Sequence, residues 1–347
     1  MAAPQIHIGS VATALPGPPI GNAELGAFFN ASGMFEEWVD TFIGTRTRHL
    51  SVDLETGEAR FTLADLAEEA GRAALKNAGV APEDVDLVVM GTSMPDSLLP
   101  TTVNVVADRL GIEGVPSFQL QSGCTGAMQA LDIAHQLMVA GRHRTVLVIG
   151  GDVCAKHVDV KLDFAKLAPD EMVNTVLFGD GAGAAVLTAE PVAGAPVLHR
   201  VLVRFVGRGR PPGQVVEWFG MGDRHDNRSA MHEDFKAIEE HVPVLGAEAL
   251  RELLDGQGWQ PDDVDYLMPP QLSVRMTDRI VRHLALPRAQ EVSCVGDTGN
   301  TANALPFFQL ELLLPRLVPG DRAVAVAVES SKWIKSGFVL EMVREHG

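Results

Sequence analysis

Cys124 is the residue whose type and surroundings point most directly to covalent chemistry. It lies in the Gly-Cys-Thr-Gly segment of residues 123–126, between a short apolar stretch and a helical pattern with one apolar face. At a helix N-terminus, unpaired N–H groups and the helix dipole favour a thiolate over a thiol. The arrangement suits a nucleophile that carries an acyl group. Most free cysteines, however, are small buried apolar residues, and the segment alone leaves both interpretations open.

The elements that would position Cys124 alternate between helical patterns and short apolar strands. The strands are predicted at residues 85–90, 145–150, 184–187, 264–268 and 323–328. This alternation is typical of an α/β protein. Aromatic residues make up only 5% of the chain, so the core must rely on Val, Leu and Ala, as buried parallel or mixed strands do.

The two halves of the chain repeat one another. Residues 78–88 are echoed by residues 257–267, and the echo keeps a glycine, a proline and an aspartate at the same spacing. Further along each half, Gly-Cys-Thr-Gly is followed by a weaker match, Gly-Asn-Thr-Ala at residues 299–302. A duplicated α/β unit is therefore predicted. Cys124 and Asn300 would then lie at equivalent helix starts, and a pseudo-twofold arrangement would bring both to one site.

The composition limits the classes of function. The 347 residues include 28 basic and 45 acidic side chains, and the net charge of −17 argues against a nucleic-acid partner. The three cysteines lie far apart without metal-ligand spacing, so we expect neither a disulfide framework nor a bound metal. The chain shows no signal-peptide pattern and no run of membrane-spanning length, so we expect a cytoplasmic protein that does not enter a membrane. An acidic partner would need a local basic patch.

Six segments form an ordered set along the chain. They are Glu-Glu-Trp-Val from residue 36, Gly-Thr-Arg-Thr-Arg-His from 44, the Cys124 segment, Phe-Gly-Asp-Gly-Ala-Gly from 178, Asp-Tyr-Leu-Met-Pro-Pro-Gln from 265 and Gly-Asn-Thr from 299. The set resembles the thiolase superfamily and, within it, the ketoacyl-acyl-carrier-protein synthase III group, over nearly the whole chain. The glycine-rich run leads into a strand rather than a helix, which argues against a Rossmann nucleotide site and indicates a tight turn near the Cys124 loop.

The resemblance implies an α/β fold, a thiolase-like five-layered α-β-α-β-α sandwich of two duplicated halves. Residues 1–190 would carry the nucleophile, and residues 191–347 would carry Asn300 and pocket residues. The resemblance also implies a homodimer without a cofactor, which receives its acyl group from an acyl carrier protein or another acyl thioester. In this family a Cys is acylated, and a His and an Asn then support decarboxylation and carbon–carbon bond formation.

One departure from the family pattern bears directly on the reaction. The family's Pro-His-Gln reads Pro-Pro-Gln at residues 269–271, so Pro270 replaces the histidine. Proline has no side-chain donor, no titratable group and no backbone N–H. Asn300 remains where the family has its asparagine. The chain therefore keeps the thioester-forming half of the chemistry and lacks part of the condensing half.

Other site residues follow from positions that match the family. We expect an oxyanion hole from the backbone N–H groups of Cys124 and Ser331, although the family's glycine-rich loop reads Glu-Ser-Ser-Lys-Trp at residues 329–333. Trp38 keeps the family's adenine clamp for coenzyme A. Phe42 stands where an arginine is usual, and this weakens coenzyme A as the donor.

A basic face is predicted near the C-terminal third of the chain. Arg275 falls on the position that docks the acyl carrier protein in the family, and Arg279 and Arg282 follow at i+4 and i+7. On a helix these three side chains share one face. They would supply the patch that an acidic carrier requires, although a solvated surface stripe is the plain alternative.

An alcohol acceptor would normally require a general base, and the sequence offers candidates without choosing among them. His232 is preferred because residues 231–235 match the part of the family that lines the acyl pocket, where Met231 and Phe235 would contact substrate. A surface histidine at a helix start is the ordinary alternative. Four weaker candidates are His135, His157, His225 and Asp297.

Two segments are candidates for specificity. Residues 160–173 are inserted relative to the family pattern and mix apolar with charged side chains. Residues 207–230 are rich in Gly, Pro, Arg and Asp, the composition of a loop or lid. Either segment would shape an acceptor pocket, or be a tolerated insertion.

Three functional hypotheses follow. The first is a carrier-dependent acyltransferase of natural-product biosynthesis, in which Cys124 passes an acyl or aryl group to a hydroxyl, an amine or a second carrier without decarboxylation. The second is a decarboxylating synthase in which another residue replaces the histidine. The third is a non-catalytic partner subunit of a synthase pair, which the intact Gly-Cys-Thr-Gly setting disfavours.

Overall fold

The computed structural model describes residues 4–218, 222–223 and 231–344. In the first half the strands are β1 (His7–Ala14), β2 (Ile20–Gly21), β3 (Thr47–Arg48), β4 (Leu87–Thr92), β5 (Ser117–Gln121), β6 (Thr145–Asp152) and β7 (Gly181–Thr188). In the second half they are β8 (Val197–Phe205), β9 (Gln214–Val216), β10 (Met231–Glu233), β11 (Tyr266–Met268), β12 (Gln290–Glu291), β13 (Arg322–Glu329) and β14 (Ile334–Glu341).

The α-helices follow the same division. Those of the first half are α1 (Asn22–Phe28), α2 (Phe35–Phe42), α3 (Leu63–Ala78), α4 (Thr102–Leu110), α5 (Gly126–Val139) and α6 (Pro169–Leu177). Those of the second half are α7 (Phe235–Gln257), α8 (Val274–Leu284), α9 (Val295–Thr298) and α10 (Leu305–Leu313).

Ten strands, β1, β4–β8 and β11–β14, form two five-stranded sheets of the same topology. The hydrogen-bonded order is β12-β11-β13-β14-β8-β1-β7-β6-β4-β5, but β1 and β8 share only the pair His7 with Val197. Each sheet is mixed: β4 and β11 lie parallel to both of their neighbours, whereas β7 and β14 lie antiparallel to theirs. The strand order on one side of the β1–β8 junction therefore repeats on the other.

Five layers result from the way in which the helices cover these sheets. Helices α5 and α10 lie between the two sheets, and one apolar core joins them to both inner faces. Helices α3 and α4 cover the outer face of the first sheet, and α7 and α8 cover that of the second. Three alanines on α5, at 127, 130 and 134, are fully buried, and their small size lets the helix pack between two sheets. The predicted sandwich of two duplicated halves is confirmed.

The residues that are repeated in the two halves occupy equivalent positions, at the ends of helices and at the starts of strands. Gly79 and Gly258 end α3 and α7 at φ values of 65° and 67°, a left-handed conformation that favours glycine. Asp86 accepts a hydrogen bond from the backbone N–H of Arg144 at 2.8 Å, and Asp265 accepts one from the N–H of Arg322 at 2.9 Å. Each aspartate thus fixes the start of a central strand, which explains why the motif occurs twice.

The two segments proposed to govern specificity fold differently. Residues 160–173 form a short turn and the start of α6. In the second segment, residues 207–213 are tied to the turn between β13 and β14, where the Trp333 indole N–H donates to the carbonyl of Pro211 at 2.7 Å. Strand β9 then pairs with β10. Residues 219–221 and 224–230, including His225, lie outside the described residues.

The described ranges lack two kinds of feature. Within them, no helix combines the length and apolar character needed to cross a bilayer. Nor do these ranges contain a group of three or more His, Cys, Asp or Glu side chains that could hold a metal ion.

Candidate active site

Cys124 stands in the turn between β5 and α5, where two cavities meet. The backbone N–H of Gly126 bonds the carbonyl of Gly123 at 3.1 Å, and the Cys124 side chain is half-buried. On one side is a cavity of about 630 Å³, here called the large cavity. On the other side is a pocket of about 30 Å³, the small cavity, which also reaches Pro270 and Asn300. Cys124 lines both spaces and is therefore accessible to groups placed in either.

The Cys124 thiol is held in its protonated form. Burial raises the pKa of this thiol strongly, and the carboxylates of Glu329, Asp152 and Glu233 raise it further. The N–H groups at the start of α5 are already occupied: that of Thr125 donates to Glu329 Oε2 at 3.1 Å, and that of residue 127 donates to a side-chain amide. The predicted position at a helix N-terminus is confirmed. The predicted thiolate is wrong, because acidic neighbours and burial outweigh the helix dipole.

Asn303 joins the start of α5 to the opposite half of the molecule. Its Oδ1 accepts the hydrogen bond from the N–H of Ala127 at 2.9 Å, and its Nδ2 donates to Asp152 Oδ2 at 2.7 Å. Asp152 is fully buried, and its Oδ1 accepts from Thr92 Oγ1 and from the N–H of Ser93. Asn303 could not be selected from the sequence, since an asparagine near a helix start is common. The structure makes it the contact that fixes the nucleophile's helix.

Asn300 is positioned by the glycine-rich run. Its N–H donates to the carbonyl of Leu177 at 2.9 Å, and its carbonyl accepts from the N–H of Gly179 at 3.1 Å. A Cβ on Gly179 would lie 2.3 Å from the carbonyl oxygen of Thr298, so only glycine fits at this crossing. Asn300 is 3% exposed, and its Oδ1 accepts from the N–H of Ala302 at 3.0 Å. The run predicted to be a tight turn thus supports Asn300.

The small cavity contains little that could transfer a proton. Gln271 and Gln309 line it, but their amides bond to the main chain: Gln271 Oε1 accepts from the N–H of Cys294 at 2.7 Å, and Gln309 Nε2 donates to the carbonyl of Pro269 at 3.0 Å. Pro270 adds only its ring. Among the described residues that line this space, Cys124 is the one titratable side chain.

Comparison with known proteins assigns the family. The family model for 3-oxoacyl-[acyl-carrier-protein (ACP)] synthase III matches residues 118–203, and the model for its C-terminal part matches residues 254–330. A β-ketoacyl-[acyl-carrier-protein] synthase III of Rhodospirillum centenum is 34% identical over 292 residues, which cover 84% of each chain. The chain belongs to the synthase III family. Synthase III proteins are acyl-transferring and condensing enzymes of the thiolase fold.

Several solved structures superpose over nearly the entire chain. One titled "AbyA1 - tetronic acid condensing enzyme" is 59% identical, covers 97% of this chain and 99% of its own, and gives a TM-score of 0.94. The 3-oxoacyl-(acyl carrier protein) synthase III FabH from Pseudomonas aeruginosa PAO1 is 27% identical, with coverages of 98% and 99% and a TM-score of 0.82. The priming β-ketosynthase of the R1128 polyketide pathway is 26% identical, with coverages of 99% and 98% and a TM-score of 0.82.

The loop that is glycine-rich in other synthase III proteins carries Glu329 in this chain. Its side chain is 1% exposed, and it lines the large cavity together with Cys124 and Ser331. Ser331 lies close enough to lower the pKa of Glu329 against the effect of burial, but no hydrogen bond of good geometry reaches Glu329 Oε1. The oxyanion role of Cys124 and Ser331 stays a prediction. Glu329 was not selected from the sequence, although its place in a synthase III glycine loop was a signal.

Residues 231–235, which match the part of the family that lines the acyl pocket, border a third space. This side cavity, of about 540 Å³, shares Met231, His157 and Phe178 with the large cavity. His232 and Phe235 line the side cavity but not the large one, and His232 is exposed on β10. The structure therefore places Met231 at the junction of the two spaces, and it does not bring His232 to the cavity that Cys124 lines.

Of the weaker base candidates, His135 and Asp297 make other contacts, whereas His157 lines two cavities. The imidazole of His135 bonds the carbonyl of Leu198 at 3.1 Å, between α5 and the second sheet. Asp297 is exposed and pairs with Arg46. His157 lines both the large and the side cavity, and burial together with Lys156 lowers its pKa.

The predicted donor-binding residues cluster at one surface of this synthase III. Trp38 and Phe42 lie on α2; Trp38 is half-buried, and Phe42 is 64% exposed. Arg275, at the start of α8, donates from Nη2 to the carbonyl of Asp40 at 2.6 Å, so the two helices adjoin. Arg279 and Arg282 follow on the same helix and are exposed. Arg279 Nη1 lies 3.2 Å from Glu239 Oε2, which partly balances the basic face.

Proposed function

We propose that this synthase III transfers an acyl group from a carrier-bound thioester, through Cys124, to a hydroxyl of a second substrate without releasing carbon dioxide. The thiol attacks the thioester carbonyl, the carrier thiol departs, and the acceptor oxygen then attacks the acyl-cysteine. Backbone N–H groups of Cys124 and Ser331 would hold the oxyanion. The large and side cavities provide adjoining space for the two substrates.

The observation that carries this proposal is Pro270 in the small cavity. Decarboxylation in the family depends on a His and an Asn that stabilise an enolate, and here the ring of Pro270 lines the space shared by Cys124 and Asn300. Proline has no side-chain hydrogen to donate. With Asn300 as the remaining donor of the pair, stabilisation of the enolate is weakened, whereas acylation of Cys124 needs neither group.

The nature of the product is suggested by the relative titled as a tetronic acid condensing enzyme, which is 59% identical. A tetronic acid is a five-membered cyclic ester that carries an acidic enol. Assembling such a ring from a 3-oxoacyl thioester and a 2-hydroxyacyl thioester forms one ester bond and one carbon–carbon bond. Two thiols leave, and no carbon dioxide is released. We extend the proposal to this reaction, because the carbon between two carbonyls is acidic without decarboxylation.

The proposed partners follow from the surface. An acidic acyl carrier protein would dock on the exposed face of α8 that carries Arg275, Arg279 and Arg282, next to α2. A homodimer is also proposed: β5 is an edge strand of the first sheet, and Phe118 on it is 43% exposed. Light scattering tests the dimer, and a single-chain mass would exclude it.

The test compares three thioesters on one protein. Incubation with a 3-oxoacyl carrier should add the acyl mass to the protein, and a 2-hydroxyacyl thioester should then remove it with formation of a cyclic product. A malonyl carrier should give no carbon dioxide. Cys124→Ala should abolish the mass gain. Persistence of the adduct in that variant, or release of carbon dioxide with a ketoacyl product in the wild type, contradicts the proposal.

A decarboxylating synthase is the second candidate, and the retained Asn300 is the observation in its favour. The malonyl experiment separates it from acyl transfer. A non-catalytic subunit would show no mass gain on Cys124 with any thioester.

A further inference from the structure

We propose that Glu329 is the general base and acid of Cys124, accepting the thiol proton when the cysteine attacks and returning it to the leaving thiol. This inference rests on the proposed acyl transfer and names the group that handles its protons. It assigns to a loop carboxylate the task that the sequence suggested for His232.

The Glu329 carboxylate lies beside the backbone on both sides of Cys124. Its Oε2 accepts from the N–H of Thr125 at 3.1 Å. A Cβ added to Gly123 would lie 2.2 Å from Oε1, so the carboxylate occupies the space beside Gly123 Cα. The residues before and after the nucleophile are therefore both in contact with one carboxylate, and glycine at 123 is what makes room for it.

One oxygen of this carboxylate makes no hydrogen bond of standard geometry. Glu329 is 1% exposed, and although Ser331 lies near its carboxylate, no donor in the described part of the chain reaches Oε1 with good geometry. Buried polar atoms are normally hydrogen-bonded, because an unmade bond costs free energy. This oxygen can therefore accept and release a proton, and Glu329 lines the same cavity as Cys124.

Several other ionisable groups near Cys124 are hydrogen-bonded elsewhere or do not line the large cavity. Asp152 uses both oxygens, accepting from Ser93 and Asn303 among others. Asp96 accepts from two N–H groups at the start of α3. Lys156 is a cation whose Nζ donates to the carbonyls of Met94 and Pro95. His232 does not reach the large cavity. His157 also lines the large cavity, and Glu233 has an unpartnered Oε2 at the side cavity. Glu329 is preferred to both because its carboxylate adjoins Gly123 and Thr125, the residues on either side of Cys124.

The electrostatics of the site suit this exchange. Burial raises the pKa of Glu329, and Asp152 raises it further, against hydrogen bonds from Ser331 and Thr125. Burial, Glu329, Asp152 and Glu233 in turn raise the pKa of the thiol. Two neighbouring anions are disfavoured, so the pair holds one proton that moves between sulfur and oxygen. A base whose pKa is shifted towards neutrality is well matched to proton transfer at physiological pH.

The bond changes balance in both half-reactions. In acylation, the Cys124 S–H proton moves to Glu329 as the sulfur bonds the acyl carbon; the carbon–sulfur bond to the carrier then breaks, and the carrier sulfur takes that proton. In transfer, the acceptor O–H proton moves to Glu329 as the oxygen bonds the acyl carbon. The bond to Cys124 then breaks, and its sulfur regains the proton. No oxidant or further reactant is needed.

The test is Glu329→Gln, which keeps the size of the side chain and an acceptor for the Thr125 N–H. Acylation of Cys124 by a carrier-bound thioester is followed by intact mass in single turnovers from about pH 5.5 to about pH 9. The wild-type rate should rise with pH through the raised pKa of Glu329. The variant should be slower by about 10²-fold and lose this rise. Glu329→Asp should recover part of the rate.

The rate at which iodoacetamide alkylates Cys124 shows whether Glu329 acts as a base or has only an electrostatic or structural role. Because the substitution removes a negative charge, the thiol pKa should fall, and alkylation should be as fast as in the wild type or faster. Glu341→Gln, on β14 and paired with His199, is the matched control and should change neither rate.

Each outcome bears on the inference. Acylation by the Gln variant within about threefold of the wild type, with the same pH profile, overturns it. So does a parallel loss of alkylation, since that would mean a disturbed site. If the wild type is not acylated by any thioester, the proposed function fails as well. If the wild type is acylated but transfers nothing to a hydroxyl, a defect of the variant in acylation still supports the role of Glu329.

Discussion

The two cavities that meet at Cys124 differ in chemical character. The large cavity, of about 630 Å³, is lined by groups that can carry charge or move protons, among them Lys156, His157 and Glu329. The small cavity, of about 30 Å³, offers Asn300 and otherwise apolar or internally bonded side chains, with Pro270 in the place of the family's histidine. Proton transfer is therefore concentrated on one side of the sulfur. The side on which relatives stabilise an enolate has lost a donor.

Under the proposed function, this difference would let one scaffold change its reaction while keeping its nucleophile. Acylation needs a sulfur, an oxyanion hole and a proton acceptor, and the residues proposed for these roles, Cys124, Ser331 and Glu329, line the large cavity. Decarboxylation in the family uses a His and an Asn, and Pro270 replaces that His at the small cavity. The proposed proton acceptor is instead a carboxylate at the end of β13.

Filling the space beside Gly123 should give the largest effect. In Gly123→Ala the new methyl would lie 2.2 Å from Glu329 Oε1 and would displace the carboxylate from the large-cavity side. We expect acylation of Cys124 to fall by about 10²-fold to 10³-fold, measured by intact mass. Gly33→Ala, where nothing lies within 4 Å, is the control and should acylate normally. Equal rates for the two variants would show that the carboxylate position is irrelevant.

Pro270→His restores a donor to the small cavity and should reduce the chemical difference between the two cavities. We expect release of carbon dioxide from a malonyl thioester to rise by about tenfold or more over the wild type, because an imidazole can polarise the carbonyl. The pocket is small, so overpacking should lower the free energy of unfolding by about 1–3 kcal/mol. Radiolabelled carbon dioxide is the measurement, with the exposed Pro319→His as control. A folded variant without decarboxylation would show that proline is not what blocks that reaction.

Charge reversal on the exposed face of α8, where we propose that the carrier docks, should weaken carrier binding without changing either cavity. Arg275→Glu should lower kcat/KM for a carrier-bound donor by about tenfold at low salt, and by less at high salt. The same donor on a small thiol should react unchanged. Arg142→Glu, an exposed arginine between α5 and β6, should have no effect on either donor. Equal losses for both donors would move the role of Arg275 from docking to folding.

The smallest expected effect is that of Glu329→Gln on the free energy of unfolding. Because burial raises the folded-state pKa of Glu329 above its ordinary value of 4.5, its ionisation destabilises the folded protein as pH rises between the two values. Glu329→Gln should therefore raise the free energy of unfolding near pH 7.5, with no gain near pH 4. Thermal unfolding at the two pH values measures this, and the exposed Glu58→Gln should show no pH-dependent difference. A loss of stability at neutral pH would indicate a structural role for the carboxylate.

The fold was predictable because its signals are local and repeated. Gly79 and Gly258 end equivalent helices at positive φ, and Asp86 and Asp265 fix equivalent strands, so the duplication could be found from spacing alone. Cys124 and the departure at Pro270 were also readable, since each lies inside a family motif. These features depend on residues close together in sequence.

The electrostatics of the site depend on contacts that no local pattern reveals. Thr125 and Glu329 are 204 positions apart, and Glu233, which also raises the pKa of the Cys124 thiol, lies in the second half of the chain. His232 was preferred because it is a histidine in a pocket motif, yet strand β10 directs it to the side cavity. A glutamate in a loop expected to contain glycine was the available signal, but only packing could show which way its oxygen faces.

The hydrogen bond between Asn303 and the start of α5 has a consequence for the synthesis and folding of the chain. The cysteine is translated in the first half of the chain, but the amide that fixes its helix and the carboxylate beside it are contributed by residues 303 and 329. A ribosome must therefore complete almost the full polypeptide before the sulfur acquires these neighbours. A chain that ends before residue 303 should keep a thiol that iodoacetamide can alkylate, yet should not take an acyl group from a carrier.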